Sequence, residues 1–575
     1  MKYTISYSNP QNQAIKITAE FEIEKSKLTT LLFPTWRPGR YELGHFAKNI
    51  TQFKVFDENN TRLNIQKTKT NTWLVDTNNA DKLTVTYLYY AADLNAGSTF
   101  MNDEQLYVNP VNCLVYVDNQ QNKPCELSVI IPSDFIIASG LPFNNNTVKT
   151  KDYHELVDTP FICSPTLKQY EYKIKDLTFY LWIQGHHQLN WKKVKSDFMK
   201  FTTAQLIAFG KFPVKNYHFI YQITPYKSYH GVEHAHSTVI ALGPTYQIMN
   251  VLYDDFLGIS SHELYHTWNI KSIRPKEMLP YDYSQENYSK LGYVAEGVTT
   301  YMGDLFLSKS KVKTWDWYKK ELEQLIQKHI DNFGRFNHSV AESSTDTWLD
   351  GYTKGVPNRK VSIYNEGALL AFVTDISIRH ETENTKSLHD VMQSLYLNFG
   401  DKNIGYTDED YINLICEYLG KEGKELFENY FYKANSYENI ITEALFNCGL
   451  ELNTDLNPNY TQRLLGIKTT LKNEQLTITD VVPGSTVELA GLIIGDQIIS
   501  INHFLVNNDL HQWLTYFEHD QITLGVSRQN RQIELICPIT NRTYYPVCKI
   551  NKVKIPSGLQ KRIFKNWCGY KWIEE

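Results

Sequence analysis

Two histidines four residues apart, with a glutamate directly after the first, make up the stretch His262-Glu263-Leu264-Tyr265-His266. Histidines at i and i+4 leave the same helix face, so two imidazoles can reach one cation. Glu263 lies about 100° further round the helix. That is too far round for an easy ligand, but it suits a group that takes a proton from an attacking water. Tyr253, Phe256, Leu257 and Ile259 give the preceding turns an apolar face to anchor the helix. Alone, the five residues also fit two ordinary histidines on a helix. A catalytic zinc takes three protein ligands and keeps a fourth position open. Glu296, in LGYVAEGVTTYMGDL, stands mid-helix on a weakly charged stretch, where a carboxylate is costly unless paired or metal-bound. His262, His266 and Glu296 then form a His, His, Glu set for one zinc ion per chain, a donor set that favours zinc among divalent metals. Asp304, further along on a similar face, reads either as a partner that orients a ligand histidine or as a surface carboxylate.

These residues need helices to carry them. Apolar residues recur at three and four in residues 246–269, 290–310, 314–334, 364–380 and 387–400, which predicts a helical middle region to about residue 450. Residues 1–170 read differently. ITAEFEIE, LTVTYLYYAA and CELSVIIP alternate or run apolar between Asn, Pro and Gly clusters, which predicts a β-rich domain, a sandwich or open barrel. DLTFYLWIQG and YHFIYQITPY continue as strands into the middle region. NTDLNPNY, residues 453–460, reads as a linker, and short strands return in LTITDVV, DQIISIN and ITLGVSR.

The chain of 575 residues is too long for one core. Its 58 basic and 63 acidic residues give a net charge of −5, which offers no basic footprint for nucleic acid. The locally basic end, KINKVKIPSGLQKRIFKNW, reads as a solvated tail. The eight cysteines contain no C-x-x-C pair and read as buried free thiols. The first residues show no basic and apolar signal pattern, and no apolar run reaches membrane-spanning length, so a cytoplasmic location without a membrane span is expected.

HELYHTWNIKSIRP followed by AEGVTTYMGDL resembles the M61 metallopeptidases, the glycyl aminopeptidase family of the gluzincin group. The resemblance runs over almost the whole chain. FPTWRPGRYELGHFAKNI (33–50) is similar to the family's Pro-x-Trp-x-Pro-Gly-x-Tyr segment, HGVEHAHSTVI to its substrate strand, and VSIYNEGALLAFVTDISIRH to its Tyr-x-x-Gly helix. It implies an α+β multidomain protein. A β-rich N-terminal domain (1–170) precedes a thermolysin-like, mainly helical catalytic domain (171–452), a PDZ domain (461–545) and a C-terminal extension (546–575). It also implies roles. Glu263 is the general base, Tyr364 holds the tetrahedral oxyanion, and Glu233 on the substrate strand holds the free α-amino group of a peptide. Gly231 is the one glycine of a run that is otherwise replaced by YKSYH, so bulky Tyr229 and His230 are expected to reshape the cleft beside the first substrate residue. His230, His234 and His236 form a weaker second constellation that lacks an acidic partner in sequence.

RLLGIK resembles a PDZ carboxylate-binding loop, in which backbone N–H groups around Gly466 capture a peptide C-terminus. The other reading is a PDZ fold used only as an intramolecular cover. The resemblance implies a zinc aminopeptidase acting on peptides, with small first residues such as Gly or Ala preferred. An endopeptidase with the same zinc chemistry, or a non-catalytic PDZ interaction protein with a vestigial site, are the competing functions.

Overall fold

The structure, a computed structural model, describes residues 1–353, 355–517 and 521–573. The N-terminal part stacks β-sheets. Six strands run in the order Thr147–Thr150, Cys125–Ile130, Lys2–Ser6, Ala14–Glu22, Lys82–Tyr90, Ile50–Phe56, and two four-stranded sheets lie against them. The central pair shows why these residues are strands. Ile15, Ile17, Ala19 and Phe21 point inward along one strand, and Leu83, Val85, Tyr87 and Tyr89 do so along its antiparallel neighbour. The sheets stay open and form no closed barrel. Residues 33–50 leave the sheets and cross to the helical part. There Trp36 is buried edge-on to Tyr281 and Trp348, and its Nε1 donates to the Asp282 carbonyl at 2.7 Å.

The middle part opens with a five-stranded sheet in the order Lys168–Ile174, Leu177–Gln184, Asn216–Ile223, Ser237–Gly243, Ser228–Glu233. Its last member, the edge strand, pairs antiparallel on one side only, with Gly231 opposite Ile240 and Glu233 opposite Thr238. The helix Tyr253–Tyr265 carries the histidine motif. It starts later than its apolar periodicity predicts, because residues 245–252 form a 3-10 turn followed by hydrogen-bonded turns instead. Beside it the chain runs through a π-helical turn, Tyr293–Val298, into the helix Thr299–Lys309. The helix Ile363–Glu381 crosses that turn with backbones almost touching. A Cβ on Gly297 would overlap Gly367, and one on Gly367 would lie 2.8 Å from the Gly297 Cα. Only glycine allows this approach.

A six-stranded C-terminal module has its own core around Ile467, Ile478, Ile498, Leu524 and Val526. It is bracketed by a two-stranded ribbon, Leu450–Asp455 with Val547–Lys552, so residues 453–455 belong to a strand and not to a linker. The ribbon is held by the helix Trp315–Asp331, where Gln327 Oε1 accepts from Cys548 N and Glu323 Oε1 from Ile550 N. The basic C-terminal end is likewise not a solvated tail. Residues Gly558–Cys568 form a capped amphipathic helix that buries Ile563, Phe564, Trp567 and Cys568 in the catalytic core. Trp567 Nε1 donates to the Tyr301 hydroxyl at 2.8 Å. All eight cysteines are free thiols, and among the described residues no helix is long and apolar enough to cross a membrane.

Because Trp567 fills the catalytic core, Trp567→Ala is expected to destabilise the whole middle part by about 3–5 kcal/mol. Urea unfolding followed by tryptophan-independent circular dichroism checks this. An unchanged midpoint would show that the helix is only an appendage.

Candidate active site

The four-residue spacing brings the two imidazoles together as expected: His262 Nε2 and His266 Nε2 lie 3.0 Å apart. The π turn swings Glu296 toward them, with its Oε2 3.5 Å from His266 Nε2 and 3.9 Å from His262 Nε2. Single π turns recur at functional sites because the extra residue re-aims a side chain. Three donor atoms at these separations fit around one ion with ligand bonds of about 2.0–2.2 Å. The donors are also held from behind. His266 Nδ1 bonds to the Asn269 carbonyl at 2.7 Å, and the Tyr41 hydroxyl donates to Glu296 Oε1 at 3.0 Å. Burial and the neighbouring His266 push His262 well below its ordinary value, which leaves it neutral with a lone pair to donate. Burial pulls His266 down as well, but Glu296 outweighs it and the ring is pushed up to about 10. The space between these groups attracts positive charge.

Glu263 is buried beside this trio. Burial, against the pull of His266 and with the repulsion of Glu233 and Glu296, pushes its carboxyl up to about 8. Its Oε2 accepts a hydrogen bond from Thr238 Oγ1 at 3.3 Å. Its other oxygen lies against the Gly231 Cα, where a methyl group would overlap it. Gly231 is therefore the point at which the edge strand and the motif helix can touch. Glu233, two residues on and on the same face, is 4% exposed, and its Oε1 has no hydrogen-bond partner. Ligand atoms of Glu233, Glu263 and His266 all lie within 4.8 Å of one another. Residues 33–50 close the far side. A Cβ on Gly39, whose φ is +80°, would lie 2.5 Å from Glu233 Oε2, and Arg37 Nη2 meets His230 Nε2 at 3.2 Å. Tyr364, in the first turn of the helix that crosses Gly297, lines the same cavity and shares a 3.3 Å contact between hydroxyls with Tyr352. The cavity measures about 540 Å³.

Three expectations meet a different geometry. Asp304 lines the cavity, but no hydrogen bond joins it to either histidine among the described residues; Asn269 and Tyr41 do the orienting. The Gly466 N–H is already committed. It closes the helix Tyr460–Leu465 by donating to the Gln462 carbonyl, and Tyr544 packs over the glycine, so it is not a spare donor for a peptide carboxylate. His230, His234 and His236 do not converge. His230 faces Arg37, while His234 Nδ1 meets Asp158 Oδ1 at 3.0 Å. Sequence reasoning missed Tyr41, Tyr352 and a buried network in which Lys271 Nζ donates to Asp158 Oδ1 at 2.8 Å. That network ties the segment after the motif to the β-rich part and to the turn behind Glu233, where Ala235 N donates to Asp158 Oδ2.

Residues 2–165 match the peptidase M61 N-terminal domain, residues 255–370 the M61 glycyl aminopeptidase family and residues 453–535 the PDZ domain. The chain belongs to the M61 metallopeptidases, with a C-terminal PDZ domain, and is a peptide-bond hydrolase. An aminopeptidase N family protein from Idiomarina loihiensis superposes with a TM-score of 0.90 at 25% identity, covering 98% of this chain and 99% of that one. An M1 zinc metallopeptidase from Deinococcus radiodurans, bound to a Tyr-Ser-Ala substrate, gives a TM-score of 0.48 at 11% identity over 76% of this chain and 93% of that one. No curated protein sequence matches.

Gly231→Ala is expected to displace the Glu263 carboxylate, whose flexible end can move, and so to lower kcat about 100-fold with little change in melting temperature. A loss of stability matching the loss of rate would contradict this. The Asp158 network predicts a pH dependence. Burial works to raise the Asp158 carboxyl, but Lys271 and His234 overcome it and hold it well below the usual carboxylate range. Its stabilisation is present above the unfolded value near 4 and is lost as pH falls from there toward the depressed folded value. Asp158→Asn should cost about 3–5 kcal/mol at pH 7, and the gap to the parent protein should shrink as pH falls below about 4. Denaturant unfolding at pH 7, 4 and 3 measures it. A gap independent of pH would refute the assignment.

Proposed function

We propose that the protein is a zinc-dependent aminopeptidase that removes small first residues, glycine or alanine, from peptides. The observation that carries this reading is Glu233 Oε1: a carboxylate oxygen buried without a partner, facing a cleft, beside the proposed base. A buried carboxylate oxygen without a hydrogen bond is costly, and a substrate ammonium supplies the missing bond. Zinc held by His262, His266 and Glu296 would polarise the scissile carbonyl and bring a water near neutrality in its pKa.

The chain's own residues do the rest. The free edge of Ser228–Glu233 offers backbone groups for a peptide to add as a strand. Glu233 fixes the amine, so only the first peptide bond reaches Glu263. Glu263, steadied by Thr238, takes a proton from the attacking water and returns it to the nitrogen as the C–N bond breaks. The Tyr364 hydroxyl, neutral at pH 7, donates to the oxyanion that forms in the transition state. Gly39 pressed on Glu233, and His230 fixed by Arg37, leave little room at the first side chain, which favours glycine and alanine. An endopeptidase would have no use for a buried anchor at this place.

Glu263→Gln should lower kcat by about 10³–10⁴ while zinc content, read by atomic absorption, stays at the parent level. Acetylating the substrate amine should lower kcat/KM about 10³-fold. Cleavage of blocked and free peptides at similar rates would favour the endopeptidase reading.

A further inference from the structure

A phenol has one proton to give, and the oxyanion needs the one on Tyr364. Among the described residues the Tyr364 hydroxyl makes one hydrogen bond, to the Tyr352 hydroxyl at 3.3 Å. Either oxygen can be the donor in that pair. If Tyr364 gives its proton to Tyr352, the oxyanion receives nothing from it. If Tyr352 gives its proton to Tyr364, the Tyr364 proton must point elsewhere, and both side chains line the cavity that holds the reacting bond. A hydroxyl that accepts in this way also becomes a stronger donor, because hydrogen bonds in a chain polarise one another.

Tyr352 is held in place from several sides. It follows the helix Val340–Asp350, which packs Trp348 against Trp36 and Tyr41. Gly351 turns the chain out of that helix with φ at +55°, and a Cβ there would overlap the Glu42 carboxylate. The Arg40 guanidinium lies 4.8 Å from the centre of the Tyr352 ring and also pairs with Glu42. Asp350, the last residue of the helix, pairs with Arg359 at 2.9 Å. The Tyr41 backbone N–H reaches the Tyr352 oxygen. That bond uses a lone pair and leaves the Tyr352 proton for Tyr364. Tyr41 thus serves the site twice, since its own hydroxyl donates to Glu296. Core packing does not account for Tyr352, which is 45% exposed. A phenylalanine would keep the Arg40 contact, so what the tyrosine adds is its hydroxyl, and that hydroxyl meets Tyr364.

We propose that Tyr352 is a positioning residue for Tyr364: its hydroxyl donates to the Tyr364 oxygen and so turns the Tyr364 proton toward the oxyanion. No proton changes owner; only the direction of two O–H bonds is set. This rests on the role given to Tyr364 above. The test is a double-mutant cycle in the zinc-loaded full-length protein, with alanine p-nitroanilide as substrate. Tyr352→Phe should lower kcat about tenfold, the worth of one neutral hydrogen bond, with KM within about twofold and the melting temperature unchanged. Calorimetric affinity for a phosphinic dipeptide analogue, whose tetrahedral oxygens stand where the oxyanion forms, should fall by the same factor. Tyr364→Phe should lower kcat about 100-fold, and adding Tyr352→Phe to it should lower kcat no further, because the second hydroxyl acts only through the first. An unchanged kcat in Tyr352→Phe, a loss carried by KM, unchanged affinity for the phosphinic analogue, or a further tenfold fall in the Tyr364→Phe background overturns the proposal. A Tyr364→Phe protein with the parent kcat would instead overturn the oxyanion role of Tyr364, a separate outcome.

Discussion

Three carboxylates, Glu233, Glu263 and Glu296, are buried around two histidines in one small space, and the rest of the molecule answers to that crowding. Burial and mutual repulsion raise Glu263, and Glu296 raises His266, so the site as a whole is short of positive charge. Such a cluster survives only if the fold forces it together and ligands neutralise it. A cation among His262, His266 and Glu296 and an ammonium at Glu233 would meet the deficit at its two ends. They would leave Glu263 between them, with its basicity tuned by both.

The forcing is done by glycines at backbone crossings. Gly231 lets the edge strand meet Glu263, Gly297 against Gly367 lets the Tyr364 helix cross the Glu296 turn, and Gly39 lets the N-terminal part press on Glu233. Gly303 lies under His262, where a Cβ would be 3.1 Å from its Cα. Each contact fixes the distance between two functional side chains. The N-terminal part is then no mere cover. Through Tyr41 on Glu296, Arg37 on His230 and Asp158 on Lys271 it holds the donors, the anchor strand and the segment after the motif.

Much of this was legible in the sequence, for local reasons. The i, i+4 histidines announce a shared face whatever surrounds them, and a lone glutamate on an apolar helix invites a partner. The glycine and tyrosine of the Tyr-x-x-Gly segment stood out only by resemblance; the glycine's physical reason, the contact with Gly297, is non-local. Tyr41 belongs to the Pro-x-Trp-x-Pro-Gly-x-Tyr segment and Asp158 to no motif, but neither showed its contact, because spacing along the chain says nothing of a contact made across domains. Lys271 lies in the segment after the histidine motif, and nothing in that segment shows that Asp158 is its partner. The C-terminal helix was misread because its basic residues dominate its composition, although Ile563, Phe564 and Trp567 share one stripe at helical spacing. Gly466 misled in the opposite way: a motif glycine can be used up as a helix cap.

Among the described residues two trios have metal-ligand spacing, His262 with His266 and Glu296, and Glu233 with Glu263 and His266. Only the first leaves Glu233 for an amine and Glu263 for a proton. Anomalous diffraction at the zinc edge, from crystals holding an amino-acid hydroxamate inhibitor, separates them directly. The expected map has one zinc peak at about 2.0–2.2 Å from His262, His266 and Glu296, with the inhibitor's amine in hydrogen-bond contact with Glu233. A peak seated between Glu233, Glu263 and His266 would contradict both the anchor and the base.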